Sequence, residues 1–242
     1  NNSVLTELAN SVLRVTVYSG ASGNPADSTA IGTAISAAMK SIIDNDFAGK
    51  LRKIDVSGDG ANNVIAGLAG ADQIDGRGGV DTADYSASAA RVSVNLAKGV
   101  LLGGDAHGDT LTSIENLIGT NSAQSDFLTG TAGINRIEGG AGNDILAGLA
   151  AADVLIGGSG FDTADYSASA GRINVNLATG VTLGGDAHGD TLSSIENLIG
   201  TKSSLSDYLT GNGGTNVLAG LAGANQTDGR RGVDTAGSPA SA

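Results

Sequence analysis

Hydrophobic residues in this chain follow neither a strand period nor a helix period over most of its length. One aliphatic residue instead recurs every nine positions against small and acidic neighbours. Gly139–Ala147 reads GGAGNDILA, Gly148–Ile156 reads GLAAADVLI, and Gly157 opens GGSGFDTAD. The same phase holds from Gly130 (GTAGINRIE), Gly58 (GDGANNVIA), Gly67 (GLAGADQID), Gly76 (GRGGVDTAD), Gly211 (GNGGTNVLA) and Gly220 (GLAGANQTD). Small residues fill most of the first four positions, Asp or Asn the sixth, and an aliphatic usually the eighth. The glycine-rich first six positions predict a tight turn with some positive φ. The last three predict a short strand with one inward side chain. Two such units then make one coil, and stacked coils make two parallel sheets with two rows of turns at the edges. One Leu or Ile per strand buries too little to hold a coil alone, so the stack depends on its neighbours.

A longer repeat lies over the short one. Asp81–Thr120 returns as Asp162–Thr201 with 6 differences in 40 positions, the two copies starting nine nonapeptides apart. Ala66–Ala89 returns as Ala219–Ala242, again with 6 differences, now in 24 positions. Both offsets are multiples of nine, so nine is the unit. The third run is altered: Asn225 stands for Asp72, Thr227 for Ile74 and Arg231 for Gly78, and Gly237-Ser238-Pro239 replaces Asp84-Tyr85-Ser86. The sequence predicts a loose end from about Asn225.

Residues 1–56 have a different pattern. Arg14, Thr16 and Tyr18 alternate with Val15 and Val17, predicting a strand over Leu13–Tyr18. After Asn24-Pro25, Asp27 or Ser28 can cap a helix carrying Ile31, Ile35, Met39, Ile42 and Phe47 at helical spacing. The expected division is therefore 1–56, a strand and an amphipathic helix that cap a solenoid or end an upstream domain, and 57–242, the repeat region.

Composition narrows the function classes. Glycine is 39 of 242 residues, aromatics are 3%, and there are no cysteines. A compact enzyme core built on large side chains is not expected, nor are disulfides or thiolate metal sites. The net charge of −12 disfavours nucleic acid and anionic lipid as partners. No apolar run reaches the roughly 18 residues of a membrane-spanning helix. Cations fit: each row of turns aligns a column of Asp carboxylates, which repel one another unless a hard divalent cation with oxygen ligands, calcium above all, sits between them.

GGAGNDILA, followed two units later by GGSGFDTAD, resembles the glycine- and aspartate-rich nonapeptide of the RTX, or hemolysin-type, family of calcium-binding proteins. The resemblance covers residues 57–242. It implies an all-β fold, a right-handed parallel β-roll or β-helix solenoid, here with a small N-terminal strand-helix segment. It also implies Ca2+ between turns one coil apart, held by carbonyls at positions two and four plus the Asp of one turn. The carbonyls at positions one and three plus the Asp of the other turn complete the set.

Carried onto this sequence, the scheme implies four ligand sets. The fullest is Gly140, Gly142 and Asp144 with Gly157, Ser159 and Asp162. A second in the same row is Ser122, Gln124 and Asp126 with Gly139, Ala141 and Asp144. The opposite row offers Thr131, Gly133 and Asn135 with Gly148, Ala150 and Asp153. In the first run, Asp59, Ala61 and Asn63 pair with Gly76, Gly78 and Asp81. Asn135 and Asn63 would each supply a neutral oxygen, weakening their sites. The altered third run is expected to be poor in calcium.

Other polar residues read as structural. His107 and His188 lie in Gly-Gly-Asp-Ala-His-Gly-Asp with no recurring nucleophile motif near them, as exposed turns of an irregular coil. Tyr85 and Tyr166 close the end of a nonapeptide run. Glu115 and Glu196 are spaced as outward or turn residues of a strand.

The expected function is a calcium-binding secreted β-roll that folds on binding calcium, with structural and secretion-folding roles, type I export and no catalysis. Its expected location is extracellular or on the bacterial surface. The alternatives are an accessory module of an extracellular protease, lipase or alginate epimerase, or a segment of a surface adhesin. Either would add an extracellular polysaccharide or a cell surface as partner.

Overall fold

A computed structural model describes residues 13–16 and 54–237. Among these the regular structure is β, with two 3-10 turns at Gly104–Ala106 and Gly185–Ala187 and no α-helix. Most strands are three residues long, and the middle one is buried: Ile74 in Gln73–Asp75, Leu128 in Phe127–Thr129, Leu146 in Ile145–Ala147, Leu209 in Tyr208–Thr210. These are the eighth-position aliphatics and their equivalents. Burying one such side chain contributes about 1.5–3 kcal/mol. Ordering each residue of a coil costs about 1–2 kcal/mol, so a coil holds only within a stack.

The stack is made by parallel pairing. Ile65, Ala83, Leu117, Ile137, Leu155 and Leu192 follow one another across one sheet. Val94, Leu128, Leu146, Ala164, Leu198, Leu218 and Ala236 do so across another. The described strands form four sheets of four, eight, six and four strands.

Within tandem nonapeptides the step between partners is the expected two units, as from Phe127 to Ile145. The long repeat departs from it. Gln73 pairs with Thr110, Thr82 with Asn116 and Ser93 with Phe127, because extra residues are looped out of the coil between them. Part of the excess is an antiparallel hairpin, Ser93–Asn95 against Val100–Leu102, repeated as Asn174–Asn176 against Val181–Leu183.

The second long copy places its strands in different sheets from the first. Strands Gln73–Asp75 and Thr110–Thr112 share the four-stranded sheet that starts at Leu13–Thr16. Their counterparts Val154–Ser159 and Thr191–Ser193 lie in the six-stranded sheet with Thr82–Asp84.

Toward the N-terminus, the strand expected over Leu13–Tyr18 is found at Leu13–Thr16, paired in parallel with Ile54–Ser57. That second strand straddles position 56, and the expected helix lies outside the described residues. At the other end, Gln226–Asp228 and Thr235–Gly237 are in register with the preceding coils, but the inward Thr227 and Ala236 are exposed.

Candidate metal centre

The sixth residue of each nonapeptide links one coil to the next. Asp144 Oδ1 accepts the backbone N–H of Asp126 at 2.8 Å, and the N–H of Asp144 donates to Asp162 Oδ1 at 2.8 Å. In the other row Asp81 Oδ1 takes the N–H of Asn63 at 2.7 Å, and Asp153 Oδ1 that of Asn135 at 2.8 Å. This ladder crosses the looped-out segments with different residues. The N–H of Asp81 donates to Glu115 Oε2 at 2.8 Å, and that of Asp162 to Glu196 Oε2 at 2.9 Å. The N–H groups of Asp72 and Asp153 donate to Asp109 Oδ1 and Asp190 Oδ1, each at 2.8 Å. Of the two expected places, Glu115 and Glu196 take the one outside the strand, just before Asn116–Ile118 and Asn197–Ile199, and there they are rungs of the ladder. Tyr85 and Tyr166 are buried, and their hydroxyls donate to Asp109 Oδ2 at 3.1 Å and Asp190 Oδ2 at 2.9 Å. His107 and His188 are exposed at the ends of the 3-10 turns.

The second carboxylate oxygen differs from the first. Oδ2 of Asp81, Asp144, Asp153 and Asp162 is buried and has no hydrogen-bond donor among the described residues. A buried unsatisfied oxygen calls for an explanation. Position one of the turn supplies it. A β-carbon on Gly139 would fall 2.5 Å from Asp144 Oδ2 and 2.6 Å from the Gly157 carbonyl oxygen, so glycine keeps open a space where both oxygens converge. At Gly76 the same space is bounded by Asp81 Oδ2 and the Ser113 carbonyl, and at Gly157 by Asp162 Oδ2 and the Ser194 carbonyl.

Burial pushes these carboxyls up, Asp144 to about 7 and Asp81 and Asp153 to about 6. Asp162 is raised by the same desolvation. Neighbouring carboxylates add to it, Asp126 and Asp162 for Asp144, and Glu115 for Asp81. A cation in the space would reverse both effects. No group of three or more His, Cys, Asp or Glu side chains gathers among the described residues. The donors are therefore one carboxylate per turn plus backbone carbonyls, an oxygen-only set that suits calcium rather than a transition metal.

The structure brings the fullest expected set together. Gly140 pairs with Gly158 and Ala141 with Ser159, so turn 139–144 stacks on turn 157–162. Gly142 N donates to the Ser159 carbonyl at 3.0 Å. Gly140 and Gly142 have φ of 101° and 129°, and Gly158 and Gly160 of 108° and 142°. The carbonyls of Gly140 and Gly142 lie so close to Gly158 and Gly160 that no side chain fits there.

The second set is different in detail. Turn 119–126 is longer, and both oxygens of Asp126 are engaged, Oδ1 by Val92 N at 2.8 Å and Oδ2 by Thr120 N at 2.6 Å. Ser122 and Gln124 therefore precede a carboxylate already held by two backbone donors. In the third and fourth sets the aspartate halves, Gly148, Ala150 and Asp153 and Gly76, Gly78 and Asp81, keep the unsatisfied Oδ2. The asparagine halves do not offer the neutral oxygen that the resemblance implies. Asn135 Oδ1 accepts Thr131 N at 2.7 Å, and Asn63 Oδ1 accepts Asp59 N at 2.9 Å.

Among known families, the model described as RTX calcium-binding nonapeptide repeat (4 copies) matches residues 125–164 and 203–236. A second, described as a protein of unknown function (DUF1194), matches residues 10–95. No curated protein matches the chain. The first segment contains Asp126, Asp144, Asp153 and Asp162, and the second reaches into the altered third run. Stacked parallel coils, glycine-lined turns and sixth-position carboxylates agree with that description: over residues 125–164 and 203–236 the chain carries RTX calcium-binding nonapeptide repeats, arranged as a parallel β-roll.

Proposed function

We propose that this chain is the calcium-dependent folding module of a secreted or surface-displayed bacterial protein, a structural β-roll with no catalysis of its own. The observation that carries this reading is the set of buried Oδ2 atoms, on Asp81, Asp144, Asp153 and Asp162, that no donor among the described residues satisfies. Burial desolvates their charged form, so ionising them opposes folding. Asp144 and Asp162 with the turn carbonyls between them would hold calcium, which supplies the positive charge that lets both stay ionised inside the roll. Binding free energy becomes folding free energy when the site exists only in the folded state. A chain of this kind stays open where calcium is scarce and closes where it is abundant, which suits export in the unfolded state.

Far-UV circular dichroism during a calcium titration tests the reading. Stripped protein at neutral pH should lack β structure and gain it with calcium. Magnesium should substitute poorly, because it demands near-ideal octahedral geometry. A β-rich spectrum in chelator, unchanged by calcium, would overturn it.

A further inference from the structure

Asparagine replaces aspartate at the sixth position of four described turns, as Asn63, Asn135, Asn216 and Asn225. Asn225 occupies the same rung as Asp144. Its Oδ1 accepts the N–H of Asp207 at 2.8 Å, one coil back, as Asp144 Oδ1 accepts that of Asp126. The turn before it has the same bend, with positive φ at Leu221 (56°) and Gly223 (89°), where the Asp144 turn has Gly140 and Gly142. The remaining atom differs. Where Asp144 has an unsatisfied oxygen, Asn225 has Nδ2, which donates to the carbonyls of Gly220, Ala222 (2.8 Å) and Leu221 (3.3 Å). Three carbonyls of one turn converge on a single amide nitrogen.

The other three close their turns in a second way. Oδ1 of Asn63, Asn135 and Asn216 accepts the position-two N–H of Asp59, Thr131 and Asn212 at 2.9, 2.7 and 2.9 Å. Nδ2 faces the position-two side-chain oxygen at 3.4, 3.1 and 3.2 Å. In Asn135 and Asn216 it also donates to the carbonyls of Glu115 and Glu196, at 2.6 and 2.7 Å. The position-two oxygen in turn accepts the position-four N–H of Ala61, Gly133 and Gly214 at 2.8, 3.1 and 2.8 Å. Positions two and four have no positive φ in these turns.

We infer that these asparagines are built-in substitutes for the cation: the amide of Asn225, Asn216, Asn135 or Asn63 closes its own turn, and calcium is confined to the aspartate turns. The inference rests on the calcium-binding reading and adds which turns refuse the ion. In Asn225, Asn216 and Asn135 the amide N–H pair satisfies carbonyls that would otherwise face a carboxylate oxygen, acceptor against acceptor, and in Asn63 it faces the Asp59 carboxylate. It does so without charge, so the sixth residue itself leaves nothing for a cation to neutralise. The residue at position six decides, one atom for another, whether a turn takes metal.

The test is bound-calcium stoichiometry by isothermal titration, on the full chain, with far-UV circular dichroism in saturating calcium to confirm folding. Asn225→Asp should add one calcium, and Asp144→Asn should remove at least one. Asn216→Asp is the second gain-of-site variant should Asn225→Asp fail to fold. At saturating calcium, Asn225→Ala should also deprotect the amides of 220–228 in hydrogen exchange relative to wild type, while leaving the calcium count unchanged. Calcium lost on Asp144→Asn with none gained in either gain-of-site variant would overturn the inference and leave the broader reading standing. A wild-type chain that binds no calcium would sink that reading instead. A calcium count lowered by Asn225→Ala would show that the asparagine turn holds metal, and would also overturn the inference.

Discussion

The backbone N–H of Asp144 donates to Oδ1 of Asp162, one coil further along, at 2.8 Å. One oxygen of Asp162 is thereby committed to holding two coils in register, and its other oxygen is left buried and unsatisfied. One atom of the side chain holds the coils together, and the other is left open to a cation. That division makes the two roles separable by substitution.

Asp144→Asn keeps an oxygen for the N–H of Asp126 and puts a donor where Oδ2 stood. In calcium-free solution at neutral pH it should be more stable than wild type, by about 1–3 kcal/mol for one relieved buried polar group. Asp144→Ala loses the rung as well and should be less stable than Asp144→Asn in both conditions. Far-UV circular dichroism without calcium and urea unfolding with it separate them, and equal β signal and equal midpoints for the two variants would refute the division of roles.

Acid should stabilise the calcium-free roll. Burial raises Asp144 to about 7 and Asp81 and Asp153 to about 6, against about 4 in an unfolded chain. A raised carboxyl favours the fold below pH of about 4, and that contribution is lost as pH rises through 6 to 7. Stripped protein, open at neutral pH, should therefore show more β signal in far-UV circular dichroism at pH 5 than at pH 7.5. With limiting calcium the order should reverse, since protons compete with the ion. A calcium-free β signal that rises with pH would contradict the desolvation argument.

A methyl group at the first position of an aspartate turn should block the ion. In Gly139→Ala the new carbon would meet Asp144 Oδ2 at 2.5 Å and the Gly157 carbonyl at 2.6 Å. Gly60→Ala has nothing within 4 Å and is the matched control. Calcium affinity should fall at least tenfold for Gly139→Ala and stay within twofold for Gly60→Ala, as read by isothermal titration.

Tyr166→Phe removes the donor to Asp190 Oδ2 at 2.9 Å, inside the second long repeat. Burial already raises the Asp190 carboxyl, and its remaining partner is the N–H of Asp153. The expected loss is about 1–3 kcal/mol in saturating calcium, measurable by denaturant unfolding. Tyr208→Phe, at a more exposed tyrosine, should change stability by less than about 0.5 kcal/mol.

The nine-residue unit, its turns and its inward aliphatics are legible in the sequence because each depends on neighbours one or two units away. Leu146 and Leu155 announce their burial by spacing alone. Glu115 and Asp109 do not. They reach residues 34 and 37 positions back, across a hairpin that breaks the period, so no search at nine finds them. Their one signal is that Glu196 and Asp190 recur with them in the second copy. What Asn135 does with its two side-chain atoms is likewise not legible from spacing. Its oxygen takes the N–H of Thr131, and its nitrogen donates to the carbonyl of Glu115, which the hairpin places 20 residues back.

The two long repeats carry the same hairpin into two different sheets. The hairpin strand Val100–Leu102 ends the eight-stranded sheet, while Val181–Leu183 ends a four-stranded sheet whose strands alternate with it along the chain. The partly exposed Val100 and Leu102 therefore border one sheet and Val181 and Leu183 another, so the exposed aliphatics of the two hairpins are divided between two sheet edges. Each of these two sheets thus ends on an antiparallel hairpin strand rather than on an open parallel edge, which limits edge-to-edge association of the roll there.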